Sequence, residues 1–187
     1  MSPTPVAHAE APRASDSLSI EHIRRKLSSE TIGRHMYVFG GAVSTGEILH
    51  RLADEGAPEG SVVLSDDGID VRLSVLLRPD CPLQATGALE GIAAQALADA
   101  IWLERLPAAL TVERPTVVHR TAWLIVSIEV KFGAVSKAVC CEIDRNALTA
   151  TFLTLLDRSF TTCRTGGQGT VVAGRAAATS GPGVWCP

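Results

Sequence analysis

Apolar positions along the chain change their period several times, and each change marks an element. Ile20, Ile23 and Leu27 share one face at helical spacing behind Ser17 or Ser19, either of which can cap, so a short amphipathic helix is expected. Residues 35–39 have the bulky, β-favouring composition of a strand, closed by Gly40 and Gly41. Helical spacing returns with Ile48, Leu49 and Leu52. Ser44 followed three residues later by Glu47 fits a capping box for that helix, which should stop near Gly56. After the turn at residues 57–60, residues 61–64 read as a buried strand. Asp66-Asp67-Gly68 breaks it, and residues 69–77 form the next strand, ended by Pro79.

The strongest helical signal runs through residues 83–103, where Leu89, Ile92, Ala93, Ala96, Leu97, Ala100 and Ile101 recur at three and four. Residues 110–118 are a weak strand interrupted by Pro115, and residues 123–132 a strong one with Glu129 as its odd member. Asp144 then caps a helix carrying Leu148, Phe152, Leu155 and Leu156. Residues 33–66, 71–101 and 123–160 should pack as one unit. The pattern thus divides the chain into a disordered leader over 1–18, one domain over 19–160, and a Gly/Ala/Thr-rich tail over 161–187 whose order is uncertain, with Val171-Val172 as a possible strand.

Composition narrows the function. With 187 residues, 46% of them hydrophobic, the chain can bury one substantial core. The formal charge of -3 provides no broad basic face, so nucleic acid is not an expected partner. Cys81, Cys140, Cys141, Cys163 and Cys186 show no CxxC spacing and no nearby histidine pair. They read as reduced thiols rather than a zinc site or a disulfide framework, and no metal-binding residues are expected. The leader lacks the apolar core of a signal peptide, and the most apolar later run, 122–130, is too short for a membrane span and contains Glu129. A soluble, cytoplasmic protein without a membrane partner is the expectation.

Three collinear stretches resemble the catalytic domain of biotin–protein ligases. GRHMYVFGGAVSTGEILHRLADEGAPEGSVVLSD, residues 33–66, is similar to that family's opening strand, S-T-N turn, helix and second strand. VRLSVLLRPDCPLQATGALEGIAAQALADAI, residues 71–101, is similar to its strand ending in leucine, arginine and proline and its alanine-rich helix. TAWLIVSIEVKFG followed by EIDRNALTATFLTLLDRSF is similar to its late central strand and closing helix. The resemblance implies an α+β fold: a mixed β-sheet packed against helices, biotin/lipoate-ligase-like and class II synthetase-like, here shortened. It also implies ATP-dependent attachment of biotin to a lysine of a biotin carrier protein domain through biotinyl-AMP, with biotin, ATP and magnesium taking part.

Adenylation brings two anions together, so its site must neutralise phosphate charge and hold the carboxylate in line. The family uses a G-R-G-R-x-G loop for this. Here the chain passes from Val63-Leu64-Ser65 through Asp66-Asp67-Gly68 straight to the next strand. The lysine of the family's K-W-P-N-D stretch is matched by Glu113, reversing the charge, and Arg114 should point to the opposite face of its strand. A K-x-A-G-I-L block is missing, with His119-Arg120 joining the flanking strands. Ser127-Ile128-Glu129-Val130-Lys131 replaces a glycine-containing pattern.

Ser44 and Thr45 match the first two residues of the S-T-N turn and are either biotin contacts or simply helix caps. Lys131 and His119 read as solvated or core-satisfied. The Arg- and Gly-rich run from Arg164 to Val171, superficially like a loop of lipoate ligases, reads as a flexible turn. No catalytic residue is expected, and the expected activity is weak or nil. The alternatives are a noncatalytic carrier-binding or self-association module of the same fold, or a decayed copy.

Overall fold

In the computed structural model, residues 17–68, 70–78, 86–106, 110–120, 122–132 and 143–165 are described. Ten elements follow one another: α1 (Ile20–Lys26), β1 (Met36–Gly40), α2 (Thr45–Asp54), β2 (Val62–Asp66), β3 (Val71–Leu77), α3 (Thr86–Leu103), β4 (Thr111–Val112), β5 (Thr116–His119), β6 (Leu124–Lys131) and α4 (Arg145–Thr165). The strands make one mixed sheet in the order β1-β2-β3-β6-β4, with β5 also paired to β6. Only β1 and β2 run parallel, because α2 carries the chain back between them. The other pairings are antiparallel.

The sheet's two faces differ. Leu64, Leu73, Val75, Val126, Ile128 and Val130 point into the main core, which α1, α3 and α4 close with Ile23, Leu97, Leu148, Phe152 and Leu156. On the opposite face Val63, Leu76, Trp123 and Ile125 pack under Leu49 and Ala53 of α2. One helix cannot cover a sheet of this width, and the strand positions beyond it are polar. Period two in the sequence thus separates a helix-covered face from a partly open one.

Polar side chains fix how the layers meet. Ser19 caps α1 by accepting from His22 N at 3.4 Å, and Asp144 caps α4 by accepting from Ala147 N at 2.8 Å. Buried Asp157 of α4 accepts from the amides of Glu30, Thr31 and Ile32 at 2.7, 3.5 and 3.1 Å. Asn146 accepts from Ser19 N, and Thr154 from Ser28 N, so α4 holds the whole segment that precedes β1. At Gly60, φ is +78° and a Cβ would come within 2.3 Å of the Thr31 carbonyl oxygen, so only glycine lets this turn approach that segment.

Several boundaries shift from those the pattern suggests. The strand expected from residue 69 begins at Val71, because Asp67 and Asp70 close a tight turn before it. The weak strand over 110–118 is two pieces, β4 and β5, with Pro115 between them. Helix α4 runs on past residue 160 to Thr165. Cys163 is exposed and free, whereas Cys81, Cys140, Cys141 and Cys186, the leader to residue 16, most of the Arg164–Val171 run and Val171-Val172 lie outside the described residues. Among the described residues no helix is long and apolar enough to cross a membrane.

Candidate functional site

Beyond the edge of α2, alternate positions of β3 and β6 place Arg72 and Ser74 beside Ser127, Glu129 and Lys131 on the partly open face. Register brings Arg72 opposite Glu129 and Ser74 opposite Ser127. The N-terminus of α2 overhangs this polar strip. Together they enclose a chamber of about 250 Å³ whose walls include Ser44, Thr45, Gly46, Arg72, Glu113 and Glu129. A wider cleft of about 780 Å³ adjoins it between α2 and the β5–β6 hairpin, floored by Val118 and Ile125. The two share Ser44 and Gly46.

Hydroxyls line the junction. Thr45 Oγ1 lies 2.8 Å from Ser74 Oγ, which lies 2.7 Å from Ser127 Oγ. Either member of each pair can donate, so the chain reverses by rotating hydroxyls, and Ser127 can present a donor or an acceptor to the chamber. The capping box expected from Ser44 and Glu47 does not form. Ser44 occupies the N-cap position of α2 but makes no side-chain cap bond. Ser44 lines both cavities instead, and Thr45 is engaged by Ser74. Neither residue is a helix cap through its side chain. Gly46 keeps the helix start clear of this chain, since a Cβ there would lie 3.5 Å from Ser127 Oγ.

The cations Arg72 and Lys131 are each compensated by carboxylates. All three guanidinium nitrogens of Arg72 donate to carboxylates: Nε to Glu129 at 2.7 Å, Nη1 to Asp67 at 2.6 Å and Nη2 to Asp70 at 3.1 Å. The Glu129 hydrogen bond, helped by the Asp67 charge, outweighs burial and holds this guanidinium above its usual range. Lys131 pairs with Glu113 and lies 3.7 Å from Glu129; the Glu113 hydrogen bond is the main influence raising its ammonium above the ordinary value. The turn joining β2 to β3 builds itself around these contacts. Asp66 Oδ1 accepts from Gly68 N, and Asp67 Oδ1 accepts from Asp70 N at 2.8 Å. Asp66 also receives buried Arg145 Nη1 at 2.9 Å, which ties the turn to α4.

Glu113 therefore stands on the chamber wall. Arg114 does too, contrary to the expectation that it faces away. The reason is local: Pro115 ends strand pairing between β4 and β5, and alternation does not hold through residues 113–115. Lys131 is ion-paired rather than simply solvated. His119 lies in β5 opposite Leu124, and no contact draws it into the chamber.

Arg72, Ser74, Thr116 and His50 were not singled out in the sequence. Arg72 and Ser74 had a signal, two polar residues spaced by two within VRLSVLL. His50 had none: it becomes part of the cleft wall because Asp54 lies 3.2 Å from its Nδ1, Arg120 Nε donates to its Nε2 at 3.2 Å, and its ring meets Trp123 edge-on at 4.9 Å.

No protein-family model matches the chain. Among curated proteins it is similar to the bifunctional ligase/repressor BirA of Bacillus subtilis, 35% identical over 100 residues, covering 45% of this chain and 31% of that protein. The Bacillus spizizenii counterpart is 34% identical over the same extent. The match thus spans about a third of these relatives' length. In fold the chain is similar to a biotin protein ligase-like protein of unknown function from a Silicibacter species, with TM-score 0.51, 16% identity and coverage of 71% of this chain and 72% of that one. It is similar also to the biotin protein ligase of Aquifex aeolicus, with TM-score 0.57, 13% identity and 71% of each chain covered. The same Aquifex protein in complex with biotin and ATP aligns with TM-score 0.53, 13% identity and coverage of 71% and 72%.

Proposed function

We propose that this chain, biotin–protein-ligase-like in sequence and in fold, binds biotin weakly at the Ser44–Thr45 wall and carries out little or no adenylation. A carrier protein domain is its partner by likeness to the ligases. The observation that carries this reading is Arg72, whose three nitrogens are all committed to carboxylates.

A nucleotide triphosphate needs fixed, uncommitted positive charge where phosphoryl negative charge develops. The chamber lining sets Arg72 and Arg114 against Glu113 and Glu129, and behind it Asp67 and Asp70 add two carboxylates to the one ammonium of Lys131. Two unit charges about 4 Å apart at an effective dielectric near 20 interact by roughly 4 kcal/mol, so glutamate in place of a phosphate-facing lysine opposes adenylation by several powers of ten. These residues do not fit ATP and its magnesium. Biotin makes a smaller demand. Its ring needs donors and acceptors, which Ser44 and the Thr45–Ser74–Ser127 hydroxyls offer, and its tail needs apolar cover, which Val118 and Ile125 offer.

The test is carrier-domain biotinylation at saturating biotin and Mg-ATP, run beside an active ligase, together with pyrophosphate release. Neither signal should rise above background. Glu113→Lys alone should restore neither, because one lysine leaves Arg72 still bound by Asp67, Asp70 and Glu129. Robust labelling that depends on this protein would sink the reading.

A further inference from the structure

Resting on that reading of the site, we infer that Glu113 and Glu129 are recognition residues that accept N–H donors from the ligand's head group, and that the chamber favours a planar, donor-rich head, above all a cationic one. Glu113 then has a positive role, not merely that of a lost lysine.

The geometry of the two glutamates carries this. The ion pairs of both run through one oxygen: Lys131 meets Glu113 Oε1, and Arg72 and Lys131 both meet Glu129 Oε1. A carboxylate has about four acceptor sites. Among the described residues no donor is assigned to the second oxygen, Oε2, of either side chain, and both residues line the chamber. Ser44, Thr116 and Ser127 line the same chamber, the last joined to the reversible hydroxyl chain from Thr45. A flat head that carries N–H groups beside a polar atom, such as a cyclic urea or cyclic guanidine, fits this lining. The N–H groups meet the glutamates, and hydroxyls that can switch between donor and acceptor serve the polar atom.

An anionic head meets the reverse: acceptors facing two carboxylates, with the guanidinium of Arg72 spent and Arg114 alone on the wall to offset them. The adjoining cleft, floored by Val118 and Ile125, gives the head's substituent an apolar path out.

A pair of nearly isosteric ligands tests this on the full chain. Biotin carries a neutral cyclic urea, and 2-iminobiotin carries a cyclic guanidine that is cationic at neutral pH; the two tails are identical. Titration calorimetry at low salt should show 2-iminobiotin binding at least ~10-fold tighter than biotin, with the ratio shrinking as salt is raised. Glu113→Gln and Glu129→Gln should each narrow the ratio to within about threefold, since the amide keeps the shape and loses the charge. Thermal melts of both variants check that they fold, and Glu113→Gln, at an exposed position, keeps the test usable if Glu129→Gln does not.

Biotin binding equal to or tighter than 2-iminobiotin overturns this inference and leaves the proposed function standing. Tight 2-iminobiotin with no measurable biotin supports the inference and removes biotin as the ligand. Silence from both ligands removes the two together.

Discussion

The two faces of the sheet are built from the same strands yet follow different rules. On the face under α1, α3 and α4, Leu64, Leu73, Val75, Val126 and Ile128 are nearly all sealed from solvent, and any apolar side chain of the right volume satisfies its neighbours. On the other face, past α2, each residue is held by a specific partner: Arg72 by three carboxylates, Ser74 by two hydroxyls and Lys131 by Glu113. The first face stores the stability of the fold, and the second stores its chemistry. A change on one should therefore be felt mainly in unfolding, and a change on the other mainly in ligand binding.

The largest effect that would break this division sits in the core. Phe152 is 1% exposed in α4, and Phe152→Ala should cost about 3–5 kcal/mol in urea denaturation. Ser127→Ala, on the polar face, should cost about 1 kcal/mol or less while weakening biotin binding. Equal destabilisation by the two would erase the distinction.

Asp157 comes next. Asp157→Ala leaves the buried Ile32 amide and the part-buried amides of residues 30 and 31 without their acceptor and should cost about 2–3 kcal/mol, with no change in ligand affinity once the protein is folded. Hydrogen exchange should then show residues 30–32 losing protection first.

The smallest effect is at Asp144, and pH resolves it. Burial is the largest single influence and raises its carboxyl, but the Lys26 hydrogen bond and charge together with the Ala147 and Asn146 amides outweigh burial and leave it below the ordinary 3.8. A lowered folded-state value means that the stabilisation is complete above the unfolded value, about pH 4, and drains away as pH falls through the folded value. Asp144→Ala should cost about 1 kcal/mol at pH 7, chiefly through the lost cap, and the wild type and variant should converge in acid. A gap that widened as pH fell would contradict the assignment.

The same division explains what could be read from the sequence. Elements of the helix-covered face announce themselves by period, as in the run from Leu89 to Ile101 and in Leu148, Phe152 and Leu156, because burial tolerates only apolar residues there. The polar face does not. Glu129 stood out as an odd member of its strand, but its partner Arg72 could be found only once register placed the two opposite each other. The expectation for Arg114 fails because β4 ends at Val112, so strand alternation does not reach residues 113–115. The Ser44–Glu47 spacing suggested a capping box, but a hydroxyl at a helix start can turn toward a cavity instead, and sequence spacing does not report which competitor wins. Glu113 and the Ser44–Thr45 pair were legible only as positions; that they line one chamber is a tertiary fact.

The grip of α4 on the segment before β1 has a consequence for how the chain is made. Ser17, Ser19, Ser28 and the amides of residues 30–32 bond to α4, and Lys26 to its cap Asp144, across separations of 118 to 129 residues. During ribosomal synthesis the parallel β1–α2–β2 unit and the β2–β3 hairpin can form early, but α3 alone cannot complete the cover of their apolar face, which closes only when residues 145–160 emerge. A nascent chain stalled before α4 therefore carries a partly open hydrophobic face and an unanchored α1, the state most exposed to aggregation and to chaperone capture.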